Sequence, residues 1–429
     1  MRDGKRRKNR MQGRIRTAAL SVLLAVGFLF LGCAPASWAG QAAAVGVSGE
    51  SGDGGKAPGE STPPDENLPA DLDSLPGLLG IEEELGALDQ FLGDAGGAGP
   101  SGSFWDIVKK AASGDADGLL LLAGQRIEAL FLGEMLAGGK LLAQAASIGI
   151  LGAVFTHISS AFKGRQVSDA GFFACYLLLF ACLAASFLAS LDTAARSLDQ
   201  ILEFMRLLMP AYFLAVAFAG GSMTALAMYE VCLGAVALVQ WLCGDILLSL
   251  VKIYVLLILG SHAVKEPFLT KLTGLLEQVV DWSLKTLVGL VAGFHLIQAL
   301  VLPYADGAAQ AGARRLLELV PGLGAGAGAV AQMVLGSGVL IKNSIGTAGA
   351  IILGLLTLAP AVKLGILMLL YQCVAAVMEP VCDKRMVSCV SGMARGHKML
   401  LKIQLYSLFL FLLAIAITCG FTNVSYFAA

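Results

Sequence analysis

The chain has 429 residues, of which 57% are hydrophobic and 14% charged, and its formal net charge is −1. Soluble domains carry about 25% charged residues, so this composition argues against a soluble enzyme. The charges are also unevenly spread: eight Arg or Lys fall in residues 1–17, and twelve Asp or Glu against the single basic Lys56 fall in residues 41–100. No basic surface remains for nucleic acid once the N-terminal segment is set aside. The rest is a long series of apolar runs, several at or beyond the ~18–20 residues that span a bilayer.

Residues 1–39 have the layout of a secretory signal peptide. A basic stretch precedes an apolar core at 18–32, and Ser37-Trp38-Ala39 supplies a small-x-small cleavage site. A lipoprotein site at Gly32-Cys33 and an uncleaved anchor are the open alternatives. Residues 40–102 are rich in Gly, Ala, Ser, Pro and acids. They bury too little apolar surface to offset their ordering entropy and are expected to form a disordered extracytoplasmic tether, with one weak amphipathic helix near Ile81–Phe91. Residues 103–140 read as two amphipathic, interfacial helices. Phe104, Ile107, Val108 and Ala111 form a stripe opposite Asp106, Lys109 and Lys110, and a second helix covers Leu119–Met135.

The multi-pass region is expected at 141–423. Its spanning runs are Leu141–Phe162, Ala170–Leu191, Leu207–Met228, Val231–Val251, Thr286–Tyr304, Ile345–Leu370 and Ile403–Phe421. Only helices satisfy their own amides in lipid, and the period-two alternation of barrel strands is absent. The fold class is therefore all-α, a polytopic transmembrane bundle. Two connecting segments are amphipathic. In Asp192–Arg206, Ala195, Leu198, Ile201, Leu202 and Met205 oppose Arg196, Asp199 and Glu203. In Glu266–Lys285, Phe268, Leu272, Leu275, Leu276 and Val279 oppose Lys271, Glu277 and Asp281. Either segment lies on the membrane surface or continues a spanning helix.

A cleaved signal places the mature N-terminus outside, so the first span delivers Lys163 and Arg165 to the cytoplasm, as the positive-inside rule requires. Arg314-Arg315 and the basic stretch Tyr371–Lys402 (Lys384, Arg385, Arg395, Lys398, Lys402) both ask for the cytoplasm, which seven spans cannot provide. A crossing by the Gly-rich segment Gly322–Ile341 brings the total to eight; a re-entrant segment is the alternative.

No catalytic, cofactor-binding or metal-ligating residue can be nominated. Most of the nine cysteines sit in apolar runs, no CxxC pair or Cys/His cluster occurs, and the four histidines are scattered. Gly138-Gly139-Lys140-Leu141 lacks the spacing of a phosphate loop, and Gly322-x-Gly324-x-x-Ala327 does not follow a strand. Ionisable groups in lipid are costly and face protein or water, which makes Asp245, His295 and Gln298 the interior candidates for an ion path or an interhelical hydrogen bond. Lys363 sits beside Pro360, where it can snorkel next to a kink.

Several short stretches occur in a telling order. Gly139-Lys140-Leu141-Leu142 precedes the first span. Leu340-Ile341-Lys342-Asn343-Ser344-Ile345-Gly346 is followed by Ala359-Pro360-Ala361-Val362-Lys363, then by Tyr371-Gln372-x-x-Ala375-Ala376-x-x-x-Pro380. A Val320-Pro321-Gly322-Leu323-Gly324 turn also fits. Over roughly residues 104–423 this pattern resembles the stage III sporulation protein AE family of endospore-forming bacteria; the long acidic insert departs from it. The resemblance implies a multi-pass protein of the mother-cell membrane around the forespore. It also implies a place in a secretion-like complex with a cytoplasmic ATPase and ring-forming partners, needed for late forespore gene expression. It carries over no catalytic residue and no cofactor. The reading from another class is an autonomous secondary transporter depending on Asp245 or His295.

Overall fold

The computed structural model describes residues 77, 80–94, 103–112, 133–136, 138–140, 142–154, 165–219, 222–262, 270–318 and 324–422. The export signal, most of the acidic stretch, most of Leu119–Met135 and the Val320-Pro321-Gly322 turn lie outside them.

The described residues are helical, without a strand. In chain order they form α1 (Glu82–Asp94), α2 (Phe104–Ala112), α3 (Gly133–Val154) and α4 (Arg165–Phe218). There follows one rod made of α5 (Ser222–Val239), the π-helical π1 (Gln240–Leu247) and α6 (Leu248–Ser261). Then come α7 (Thr270–Glu318), α8 (Gly324–Met378) and α9 (Lys384–Thr422). Six helical stretches are long and apolar enough to cross a membrane: Gly133–Val154, Ala170–Phe218, Ala225–Ser261, Lys271–Gln298, Gly338–Met378 and Lys384–Gly420.

The helices are longer than the sequence pattern suggests, because the amphipathic segments continue the apolar runs. Asp192–Arg206 joins Ala170–Leu191 to Leu207–Phe218 in the 54-residue α4, which runs unbroken through Pro210. At 1.5 Å per residue α4 is ~80 Å long, against a hydrocarbon core of ~30 Å. Likewise Gly324–Ile341 continues into Ile345–Leu370 within the 55-residue α8, through Pro360. An unbroken helix crosses a bilayer once, so 322–341 and 345–370 are not two crossings. The count of eight loses that crossing and a second, because Ala170–Leu191 and the first part of Leu207–Met228 lie in the one unbroken α4; six apolar stretches remain among the described residues. The basic Tyr371–Lys402 region is not a loop either. Helix α8 runs to Met378, and a short turn containing Pro380 follows. Asp383 then starts α9 by accepting the Arg385 N–H at 2.9 Å, as an N-cap carboxylate does.

Helix α9 is the axis of the bundle. It packs along α8, α7, α4 and α6 and buries Met386, Val390, Met393, Leu400, Ile403, Phe411 and Ile415. Its Gly392 and Gly396, one turn apart, let neighbours close in. A Cβ on Gly396 would lie 2.6 Å from Val255 Cγ2 and 3.1 Å from Phe187 Cε2, and one on Gly392 would lie 2.9 Å from Ile258 Cδ1. Small residues at such spacing drive close helix packing in lipid, where the hydrophobic effect between helices is absent.

One end of the bundle gathers the start of α4, the end of α6 and the α8–α9 turn. There the Arg385 guanidinium lies 3.9 Å over the Phe172 ring, and the Tyr176 hydroxyl donates to the Leu259 carbonyl. The end of α3 packs there too, with Gly149 and Gly152 against Met378 and Met386. At the opposite end α4 closes on α8. A Cβ on Gly338 would stand 3.0 Å from the Ala219 backbone.

Within the stretch expected to be disordered, Glu82–Asp94 is a helix whose Leu85, Leu88, Phe91 and Leu92 are buried. Phe91 meets Phe204 of α4 at 6.0 Å, so that part of 40–102 is docked rather than free. Three acids in its first turn complement the helix dipole. Asp89 then caps α2, accepting from Ser103 Oγ at 2.8 Å and from the Phe104 N–H at 2.5 Å. Removing such a cap costs ~1 kcal/mol, so Asp89→Ala is expected to raise amide exchange in Phe104–Ala112 about fivefold. Unchanged exchange would show that α2 is held by packing alone.

Candidate functional site

In a lipid-embedded bundle the informative side chains are buried polar ones, because each must find a partner inside the protein. Four groups of them line the face that α9 turns to α4 and α8. At the basic end, the Tyr176 hydroxyl, besides its bond to Leu259, lies 3.1 Å from Cys389 Sγ. Two turns on, His397 is fully buried. Its Nδ1–H donates to the Met393 carbonyl at 2.9 Å, which leaves Nε2 as an acceptor 2.9 Å from Ser190 Oγ. The ring also meets Tyr371 at 5.0 Å and the edge of Phe187 at 5.6 Å. Tyr371 donates its hydroxyl proton to Ser186 Oγ at 2.7 Å. Seven residues further, Gln404 Nε2 donates to Ser197 Oγ at 2.8 Å and to the Thr357 carbonyl at 3.3 Å. Near the far end, Tyr212 Oη lies 3.1 Å from Cys419 Sγ, and buried Lys342 donates from Nζ to the Cys419 carbonyl at 3.4 Å.

The spacing explains the alignment. Residues 390s and 400s seven apart on α9 return to the same face, since seven is close to two helical turns. Ser190 and Ser197 on α4 repeat that spacing. From antiparallel α8, Tyr371 reaches His397 with its ring and Thr357 reaches Gln404 with its backbone carbonyl. Each rung joins α9 to α4, α8 or both, and apolar turns such as Met399–Leu400 and Phe411–Ile415 separate the rungs. Neighbouring rungs stand ~10 Å or more apart, so the seam holds three long helices in register and forms no continuous proton wire.

Ser190 and His397 make a hydroxyl–imidazole pair, but both are buried, and a backbone carbonyl rather than a carboxylate orients the ring. Among the described residues no group of three His, Cys, Asp or Glu is arranged to hold a metal ion.

The structure separates the residues singled out from sequence. His295 is buried, with Nδ1–H donating to the Val291 carbonyl at 3.0 Å and Nε2 lying 3.4 Å from Cys232 Sγ of α5. Asp245 is exposed on π1 and does not join it. Gln298 Oε1 and Asn343 Oδ1 are buried without a hydrogen-bond partner among the described residues. Lys342 belongs to the seam, Lys363 is half-buried on α8 beside Pro360, and Pro380 stands in the α8–α9 turn. The central pair, His397 and Gln404, was not singled out. The signal was their spacing of seven, shared with Ser190 and Ser197, which single-residue polarity does not reveal.

No solved structure matches this chain. Among curated proteins it is 24% identical over 290 residues to the stage III sporulation protein AE of Bacillus subtilis (strain 168), covering 67% of this chain and 73% of that protein. The family model described as stage III sporulation protein AE matches residues 102–422, which takes in α2 and every apolar helix of the bundle. The chain therefore belongs to the stage III sporulation protein AE family.

Proposed function

We propose that this chain is a structural, multi-pass membrane component of the complex that links the mother cell to the forespore and sustains late forespore gene expression. The observation that carries the reading is the family match across 102–422, together with six apolar helical stretches, three of them held in register by a polar seam. A seam of separate rungs suits a rigid scaffold better than the rocking halves of a transporter.

In this reading the segment 1–39 directs export and is removed. The end of the bundle carrying Arg165, Lys384 and Arg385 lies in the cytoplasm of the mother cell, in accord with the positive-inside rule. Docked helices α1 and α2 then belong to the opposite compartment. The partners are the cytoplasmic ATPase and the ring-forming membrane proteins of the same complex; no cofactor and no nucleic acid is involved.

The test is deletion in an endospore-forming host. Engulfment is expected to complete while late forespore gene expression fails, and mild-detergent purification of the native chain is expected to retain other membrane proteins of the complex. Normal forespore development in the deletion strain would overturn the reading. So would substrate-dependent flux by the purified chain in proteoliposomes that is lost in His295→Ala.

A further inference from the structure

The flank formed by α3 and the first part of α4 is apolar and carries one exposed side-chain amide. A groove of ≈580 Å³ opens outward between the two helices. Gln144, Ser147 and Ile148 form its α3 wall, and Leu178, Ala181 and Cys182 its α4 wall. The Ser147 hydroxyl is satisfied within α3, donating to the Ala143 carbonyl at 2.7 Å. Gln144 is exposed, and its amide has no hydrogen-bond partner among the described residues.

This flank is free of charge over the depth of a bilayer. Between Asp169 and Asp192, α4 carries no charged residue, and it exposes Phe173, Leu177, Leu178 and Leu188 there. Residues 170–191 cover ~33 Å, close to the ~30 Å hydrocarbon core. Beside them α3 has no charge from Leu142 to Val154 and exposes Ile150, Leu151 and Val154. So large an apolar strip belongs in lipid rather than in water. The groove lies midway along it, because Cys182 is ~15 Å along α4 from Asp192 and ~20 Å from Asp169. Helix α3 runs antiparallel to α4, since Gly152 meets Cys175 while residues 144–148 face 178–182. Lys140 is thus one turn nearer the level of Asp192, and its long stem can snorkel outward; the shorter Gln144 cannot. Lipid tails offer an amide no hydrogen bond. At such depth polar side chains bind helices together, and small residues such as Ala143, Ser147 and Ala181 let a neighbour approach.

We propose that this groove is where two copies of the chain pair in the membrane, α3 against α3, with the two Gln144 amides bonded to each other. A primary amide both donates and accepts, so its own counterpart satisfies it. Copies inserted in the same sense are related by a dyad along the membrane normal, which sets each residue opposite itself at the same depth. Gln144, Ile148 and Leu151 follow one stripe of α3, and that ridge seats in the groove of the other copy. The inference rests on the chain being embedded in a membrane and is independent of its role in sporulation.

The test uses the full chain in liposomes, in donor- and acceptor-labelled forms diluted with lipid, with energy transfer as the readout. Gln144→Leu is expected to raise the density needed for half-association about fivefold, and Gln144→Asn, which keeps the amide, to recover part of that loss. Position 144 is on the surface, so both variants retain the core. Mild oxidation of Leu151→Cys is expected to join chains 151 to 151, identified by peptide mass spectrometry so that native cysteines do not interfere. Leu290→Cys, exposed on α7, is expected to remain unjoined. A chain that stays monomeric at every density would overturn the proposal and leave the groove to lipid or to the helix of another protein. Association that Gln144→Leu leaves unchanged would overturn it too, as would joining at 290 as readily as at 151.

Discussion

Replacing Gly396 by leucine is expected to prevent the bundle from assembling. A Cβ alone would sit 2.6 Å from Val255 Cγ2 and 3.1 Å from Phe187 Cε2, and a leucine adds three carbons beyond it. Phe187 is almost fully buried and Val255 nearly so, so neither can swing aside; α6 and α4 must move off α9 instead. Overpacking of a close-packed core costs ~1–3 kcal/mol where side chains can adjust, and more where backbones must separate. That is a large share of a typical net stability of ~5–15 kcal/mol. The movement would also pull apart the His397–Ser190 rung, one residue along α9. Fluorescence-detected size exclusion after a heating series should show Gly396→Leu as aggregated or absent. Gly354→Ala is the control. Nothing lies within 4 Å of a Cβ there, and alanine improves helix propensity by up to ~1 kcal/mol. Equal thermal midpoints for the two variants would contradict the packing described at α9.

The second large effect is expected at His397, and its size separates two causes. His397→Ala removes a fully buried ring that fills the space between Phe187 and Tyr371 and accepts from Ser190. Truncating a large buried side chain to alanine costs ~2–5 kcal/mol through the cavity it leaves. An interhelical hydrogen bond in a membrane protein averages only ~0.6 kcal/mol. The cavity should therefore dominate, and His397→Phe, which keeps a ring there, should recover most of the loss. Gln404→Leu makes the opposite comparison. It gives up bonds to Ser197 and Thr357, but it also removes Gln404 Oε1, a buried acceptor without a partner among the described residues. The net change is expected to stay within ~1 kcal/mol. Reversible unfolding in mixed detergent micelles would rank the three. If His397→Phe proved as damaging as His397→Ala, hydrogen bonding rather than volume would be what His397 contributes.

Much of this molecule is legible in the linear chain. Apolar runs of bilayer length with few charges leave a helix as the backbone solution, and their order with the Lys342-Asn343, Pro360-x-x-Lys363 and Pro380 stretches points to the family. The 3.6-residue period in Asp192–Arg206 correctly separates Leu198, Ile201, Leu202 and Met205 from Arg196, Asp199 and Glu203, because side-chain direction within one helix is a local property. What the chain alone leaves open is non-local. Whether an amphipathic segment ends a helix or prolongs it depends on neighbours that cover its backbone and apolar face, and here α9 and α8 carry α4 straight through Pro210. The same continuity in α8 merges 324–341 with 345–370 and removes a crossing that charge counting had demanded.

Pairing is the other thing only tertiary structure decides. Period and polarity identify Leu272, Leu275 and Val279 as one face of α7, but an apolar face has two suitable environments beside a membrane, the protein interior and lipid. The contacts decide: Val280, Leu284 and Leu287 pack inward, Leu272, Leu275 and Val279 are left exposed, and Asp281 pairs with Lys402, 121 residues away. In the same way His397 and Gln404 are two polar residues among many in the sequence. They become the middle of a seam because α4 and α8 bring Ser190, Ser197, Tyr371 and Thr357 to their heights. Composition and period determine what each helix is, and the contacts across α9 determine which way each one faces.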